Sequence, residues 1–315
     1  MKTTRQRCAS GTKLAALFAV FLGANVQAGA EPTSPAFELR DGDRVVFLGA
    51  GLFERELRDG YIEAALSLRF ADRDITFRNL GWSGDDPSAR ARAYFGPPKE
   101  GYGRLLAELK RLQPTVIVVS YGSNASFRGA EGLASFRQEL GRLLDDLAKL
   151  TKRMVILSPT PLEQQPPPLP DMRPANANRR LYAKALEELA SERGLRFVNL
   201  FDRLKSGSAD RPLTDNGLHL NAVGYRAAAA VILDGLGLDS GRVDLAKSAQ
   251  LRRLIVEKNR LYFHRYRPQN ETYLRGFRKH EQGRNAVEIP MFDPLIEKQE
   301  QQITGLLRPG KAGAK

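Results

Sequence analysis

The chain has 315 residues, with 49 Lys plus Arg against 36 Asp plus Glu, a formal charge of +13, and 42% of it is hydrophobic. That apolar fraction closes a sizeable core and excludes wholesale disorder, while the length suits one large domain or two small ones. A single cysteine, Cys8, and three histidines, His219, His264 and His280, exclude an intrachain disulfide framework and a Cys-based zinc site, and neither metal nor cofactor is expected.

At the N-terminus, Lys2, Arg5, Arg7 and Lys13 precede an apolar run at 14–23, and small residues follow up to Ala28 and Ala30. This order of charged, apolar and small residues is that of a secretory signal peptide, and the apolar run is much shorter than the roughly 20 residues of a spanning helix. Residues 1–30 are therefore expected to be removed after Ala28 or Ala30. The mature protein is expected to be periplasmic or secreted, free of cysteine and without a transmembrane segment. An uncleaved anchor helix is the alternative. Cys8 lies ahead of the apolar core, where lipoprotein acylation does not occur.

From about residue 40 to 238, short β-branched runs alternate with longer amphipathic stretches. Strands are predicted at 44–49, 75–80, 115–121, 153–158 and 196–200, and helices at about 53–70, 101–112, 131–150, 176–193 and 221–235. Apolar strands in βα alternation predict an α/β fold, a three-layer, doubly wound, parallel five-stranded sheet with helices on both faces. Residues 159–174 hold seven prolines and predict a long loop after the fourth strand, a substrate lid or surface decoration. Beyond Asp239 the texture changes to helical patterns at about 244–262 and 293–308, which flank an Arg- and aromatic-rich stretch. From Gly241 to Lys315 there are 16 basic and 8 acidic residues. This basic helical extension, 244–308, is expected to dock on the α/β domain. If it meets a partner, an anionic polysaccharide or envelope surface is expected rather than nucleic acid.

Parallel sheets of this kind bind ligands at the carboxyl ends of their strands. There the chain reads Gly49-Ala50-Gly51-Leu52 after the first strand, Asn79-Leu80-Gly81-Trp82-Ser83-Gly84-Asp85 after the second and Tyr121-Gly122-Ser123-Asn124 after the third. After the fifth it reads Thr214-Asp215-Asn216-Gly217-Leu218-His219-Leu220-Asn221. Backbone and amide N–H groups that stabilise an oxyanion, together with an imidazole that moves protons, are what acyl transfer requires. Each residue also has a plainer reading. His219 can be a core or capping histidine, Asn124 a turn cap, Trp82 core filling, and Glu54 a favourable charge at a helix N-terminus.

The order of these segments resembles the SGNH (GDSL-type) hydrolases over about 200 residues. The resemblance implies a flavodoxin-like sheet, oxyanion donors at Gly84 and Asn124, and His219 as the catalytic histidine. Asp215 or Asn216 would orient it, a choice the spacing leaves open. In the first block, Ala50 stands at the family's aspartate and Gly51 at its nucleophilic serine, so that position is vacant. Ser83, Ser120, Ser123 and Ser126 are the nearest hydroxyls that could replace it. A second resemblance is to secreted proteins of planctomycete type with an altered first block and a tail like the one from Asn259 to Tyr273, and it implies no activity. Two functions are open. One is hydrolysis of acyl or acetyl esters, small or on polysaccharide; the other is a non-catalytic carbohydrate- or envelope-binding protein that keeps the pocket for recognition.

Overall fold

The computed structural model describes residues 36–204 and 211–309. The expected signal segment at 1–30 lies outside them. Five strands, β1 (Arg44–Gly49), β2 (Thr76–Gly81), β3 (Val116–Ser120), β4 (Met154–Leu157) and β5 (Arg196–Val198), form one parallel sheet in the order β2-β1-β3-β4-β5. This is the predicted α/β architecture.

Side chains alternate across each strand, and both faces are buried. Val45, Phe47, Val116, Val118, Val155 and Leu157 pack on one face against α2 (Tyr61–Arg69) and α7 (Ala222–Gly235). Val46, Leu48, Ile117, Val119, Met154 and Ile156 pack on the other against α3 (Pro98–Leu112), α4 (Leu133–Leu147) and α5 (Arg173–Glu192). The single helix predicted over 53–70 is two. α1 (Gly51–Glu56) is short, and α2 begins after Gly60, whose φ of +65° is one that L-residues rarely adopt. α6 (Leu200–Arg203) is a single turn.

The extension contributes α8 (Ala249–Tyr266), α9 (Glu271–Leu274) and α10 (Phe292–Leu307). Leu251, Ile255 and Ile303 join the first core, whereas Leu261, Tyr262 and Ile296 join the second. The extension thus wraps the exposed edge of the sheet at β2. Edge strands present unpaired carbonyls, and here the extension bonds to two of them, Lys258 Nζ to Phe77 O at 3.0 Å and Tyr266 Oη to Gly81 O at 2.7 Å. Lys258 and Glu63 form an ion pair with side chains only 1% and 3% exposed. Burial pulls the Lys258 amine below its ordinary value, and the carboxylate of Glu63 opposes this in part. Many of the extension's other charges are also committed to acids, among them Arg265 to Asp293, Arg260 to Glu257 and Arg278 to Glu281. Among the described residues no helix is long and apolar enough to cross a membrane.

Candidate active site

Because β2, β1 and β3 are neighbours, the loops that follow them lie side by side. The ladder continues past the strand ends, with Trp82 N donating to Gly49 O at 3.0 Å and Ala50 N to Ser120 O at 3.2 Å. The first-block turn is therefore clamped between the second and third blocks. Those two are also joined to each other. Asn124 Nδ2 donates to Asp85 O at 3.3 Å, and Tyr121 Oη donates to Asp85 Oδ2 at 3.0 Å. Asp85 is buried and paired with Arg92 at 2.8 Å. Burial pushes its carboxyl above the ordinary value despite that guanidinium.

Gly51 is the first residue of α1, and a Cβ built there meets nothing within 4 Å. The position where the resemblance places a serine is thus open space rather than a packing constraint. Gly84 has a φ of +76° and also faces open space; its backbone N–H makes no hydrogen bond among the described residues. Among the described residues only one of the two amide hydrogens of the exposed Asn124 is engaged. Both groups remain able to donate to a ligand.

The His219 loop and the helix α7 that follows it reach the first block and α1, with Tyr225 Oη of α7 donating to Leu52 O at 2.7 Å and Asp215 of the loop pairing with Arg55 at 3.5 Å. Asn221 ends the loop by capping α7, accepting from Val223 N and Gly224 N. Neither orienting candidate touches the imidazole. Asp215 pairs with Arg55, while Asn216 Oδ1 accepts from the backbone N–H groups of Leu218 and His219 at 3.2 and 3.0 Å. Among the described residues no hydrogen bond to the ring of His219 is made. Partial burial, and after it the charge of Arg55, hold the imidazole below its ordinary pKa of 6.5, with Asp215 pulling the other way. At neutral pH the ring is an uncharged base.

Among the described residues none of the candidate hydroxyls hydrogen-bonds to a histidine or a carboxylate. Ser120 is buried at the end of β3, and Ser126 Oγ donates to Ser123 O at 2.7 Å. Ser83 stands exposed, its backbone N–H bonded to Glu54 Oε2. The other oxygen of Glu54 accepts from Arg267 at 2.8 Å, and the Arg267 guanidinium lies 3.8 Å from the ring centre of Trp82. A residue of the extension is thus built into the rim of the first two blocks.

Two more residues of this edge escaped the sequence reading. Glu163, in the Pro-rich loop, is buried, and its carboxylate accepts from Leu213 N, Thr214 N and Thr214 Oγ1 at 2.6–3.1 Å. It fixes the start of the His219 loop. Arg179 is buried on α5, with Nη1 donating to Thr160 O at 2.6 Å and Phe127 stacked 5.6 Å from its guanidinium. Burial pushes its pKa down to about 10, and its charge also acts against protonation of His219. Glu163 has no periodicity or motif to mark it, and Arg179 is a charged residue on the apolar stripe of α5 with Tyr182, Ala183 and Leu186; each gains meaning only from the loop that folds against it. Glu163→Gln is expected to cost about 2 kcal/mol, because an amide N–H₂ replaces an acceptor facing buried donors. Chemical denaturation should record that loss, and hydrogen exchange should show faster opening at Leu213 and Thr214. Unchanged exchange there would refute the assignment.

Among the described residues no group of three or more His, Cys, Asp or Glu is placed to hold a metal ion. The model of the GDSL-like lipase/acylhydrolase family matches residues 42–227. Comparison with curated proteins gives no match. Among solved structures, the acetylxylan esterase Axe2 from Geobacillus stearothermophilus is similar at 17% identity, with a TM-score of 0.50, over 64% of this chain and 97% of that one. A catalytic mutant of Axe2 gives 0.51 at 16% identity over the same shares.

Proposed function

Since the chain belongs to the GDSL-like lipase/acylhydrolase family, we propose that it hydrolyses acyl esters, acetyl groups on carbohydrate foremost, without a nucleophile at position 51. The observation that carries this reading is the open turn at Gly51, clamped between the loops of Gly84 and Asn124 and tied to the loop of the neutral base His219. The space a serine would fill admits water instead. His219 takes a proton from that water as its oxygen attacks the ester carbonyl, and the Gly84 N–H and Asn124 Nδ2–H stabilise the resulting oxyanion. The tetrahedral adduct then expels the alcohol oxygen, which receives the proton from His219, leaving acid and alcohol. Carbohydrate is favoured as the alcohol because the similar Axe2 is an acetylxylan esterase. Action outside the cytoplasm forms part of this proposal, from the charged, apolar and small-residue order at 1–30.

The unpartnered imidazole favours a second reading, non-catalytic recognition of the same ligands, because a base without an orienting carboxylate is a weak one. Turnover of short acyl esters and acetylated xylo-oligosaccharides by wild type and His219→Ala separates the two. The expected result is slow turnover that falls about 10²-fold in the variant; equal rates would refute the hydrolytic role of His219. The pH profile adds an independent check. A base held below 6.5 stays uncharged until the pH falls under that value, so the acid limb should lie below pH 6.5. Arg55→Met removes an opposing charge and frees Asp215, and should move the limb to higher pH. The same depressed pKa makes the contribution of His219 to stability complete above 6.5 and lost as pH falls toward the folded-state value.

A further inference from the structure

The extension and the segment after the second block enclose a cleft of about 320 Å³ lined by Tyr94, Phe95, Arg104, Glu271, Arg275 and Phe277. Phe95 and Phe277 are 89% and 87% exposed, the two most exposed large hydrophobic side chains among the described residues. Glu271 is the opposite case. It is only 7% exposed, its Oε1 accepts from Arg104 at 2.5 Å, and its Oε2 is buried with no hydrogen-bond partner among the described residues. Arg275 approaches that oxygen only to 3.7 Å, too far to hydrogen-bond. A buried acceptor left without a donor is costly, so a site that contains one is built for a donor brought by something else.

The charges decide which donor fits. A carboxylate or phosphate ligand would meet Glu271, and an ammonium would meet Arg104 and Arg275. A neutral hydroxyl can donate to Glu271 Oε2 while accepting from a guanidinium, and the exposed rings offer flat apolar faces to the C–H face of a sugar. The cleft also lies next to the candidate active site. Tyr94 packs edge-on against Trp82 with ring centres 5.7 Å apart, and Trp82 is two residues from Gly84. Glu271, Arg275 and Phe277 lie beyond the residues 42–227 that match the family, so this cleft is an addition made by the extension.

We infer that the cleft is a subsite for a neutral sugar unit of a glycan, held by the two phenylalanines and by hydroxyl contacts to Glu271 and the flanking arginines, which presents a neighbouring acyl group to the Gly84 and Asn124 loops. This inference rests on the carbohydrate-ester reading above and adds to it where the glycan lies.

The test is calorimetric titration of the full chain with xylohexaose, cellohexaose and an oligogalacturonate, with p-nitrophenyl acetate turnover measured in parallel. Binding of a neutral hexaose is expected, weakened at least tenfold in the Phe95→Ala/Phe277→Ala double variant, with turnover of the small ester and the melting temperature unchanged because both rings are exposed. Absence of binding to either neutral hexaose, preference for the oligogalacturonate, or full binding by the double variant would each overturn the subsite. Neutral-glycan binding lost in the double variant, in a protein that turns over no ester, would support the subsite and refute only the hydrolytic reading.

Discussion

Gly51→Ser is expected to create covalent chemistry that the wild-type chain lacks. A fluorophosphonate should leave wild type unlabelled and label the variant on the introduced serine. The position tolerates the change, since a Cβ there meets no atom within 4 Å and it opens α1. The gain in ester turnover should be modest, roughly tenfold, because His219 still has no acceptor for its second nitrogen among the described residues; serine and histidine act as a unit with their carboxylate, and remaking one member recovers little. Adding Asn216→Asp should raise it by a further factor of about 10². One oxygen of an aspartate there can keep the amides of Leu218 and His219 that Asn216 Oδ1 now holds, and the second accepts from the imidazole once the His219 ring turns toward it. Labelling of wild type on Ser83 or Ser123, coupled to brisk turnover, would instead identify a relocated nucleophile and refute attack by water.

Lys258→Met should destabilise the protein by about 3–5 kcal/mol, because it leaves Glu63 charged and buried without its cation. For a chain of this size that corresponds to a melting temperature lower by roughly 10 °C. The edge carbonyl of Phe77 loses one of its two donors as well and keeps Arg78 Nη1 at 3.0 Å. Limited proteolysis should begin in the segment preceding α8 before the sheet itself is attacked. Adding Glu63→Leu should restore part of the loss, since an apolar pair of similar volume has no charge to desolvate, while the buried Asn259 Nδ2 loses its acceptor on Glu63. A single variant as stable as wild type would show that the extension is held by its apolar contacts and that the ion pair contributes little.

What the amino-acid sequence determined by itself was the parallel sheet and the order of its loops. Val45 to Leu48, Val116 to Val119 and Met154 to Leu157 are apolar on both faces, and such strands between amphipathic helices have one economical arrangement. The same local logic marked Gly84, Asn124 and His219, because glycine and asparagine just after strands, and histidine in the loop before α7, carry their chemistry in their own side chains and backbone. The break at Gly60 was missed, since an apolar period continues across it and the positive φ shows only in the folded chain.

Everything that depends on a partner distant in sequence was left to the tertiary structure. Only the fold shows that Asp215 is turned to Arg55, that Asn216 serves its own loop, and that Glu163 fixes the residues before it. Only the fold shows that the extension bonds to the β2 edge and carries Arg267 and Glu271 to the rim of the second block. Periodicity reports which side of an element is buried, not which element arrives there. Ion pairs and hydrogen bonds across 50 to more than 200 residues follow from chain packing, which no local pattern encodes.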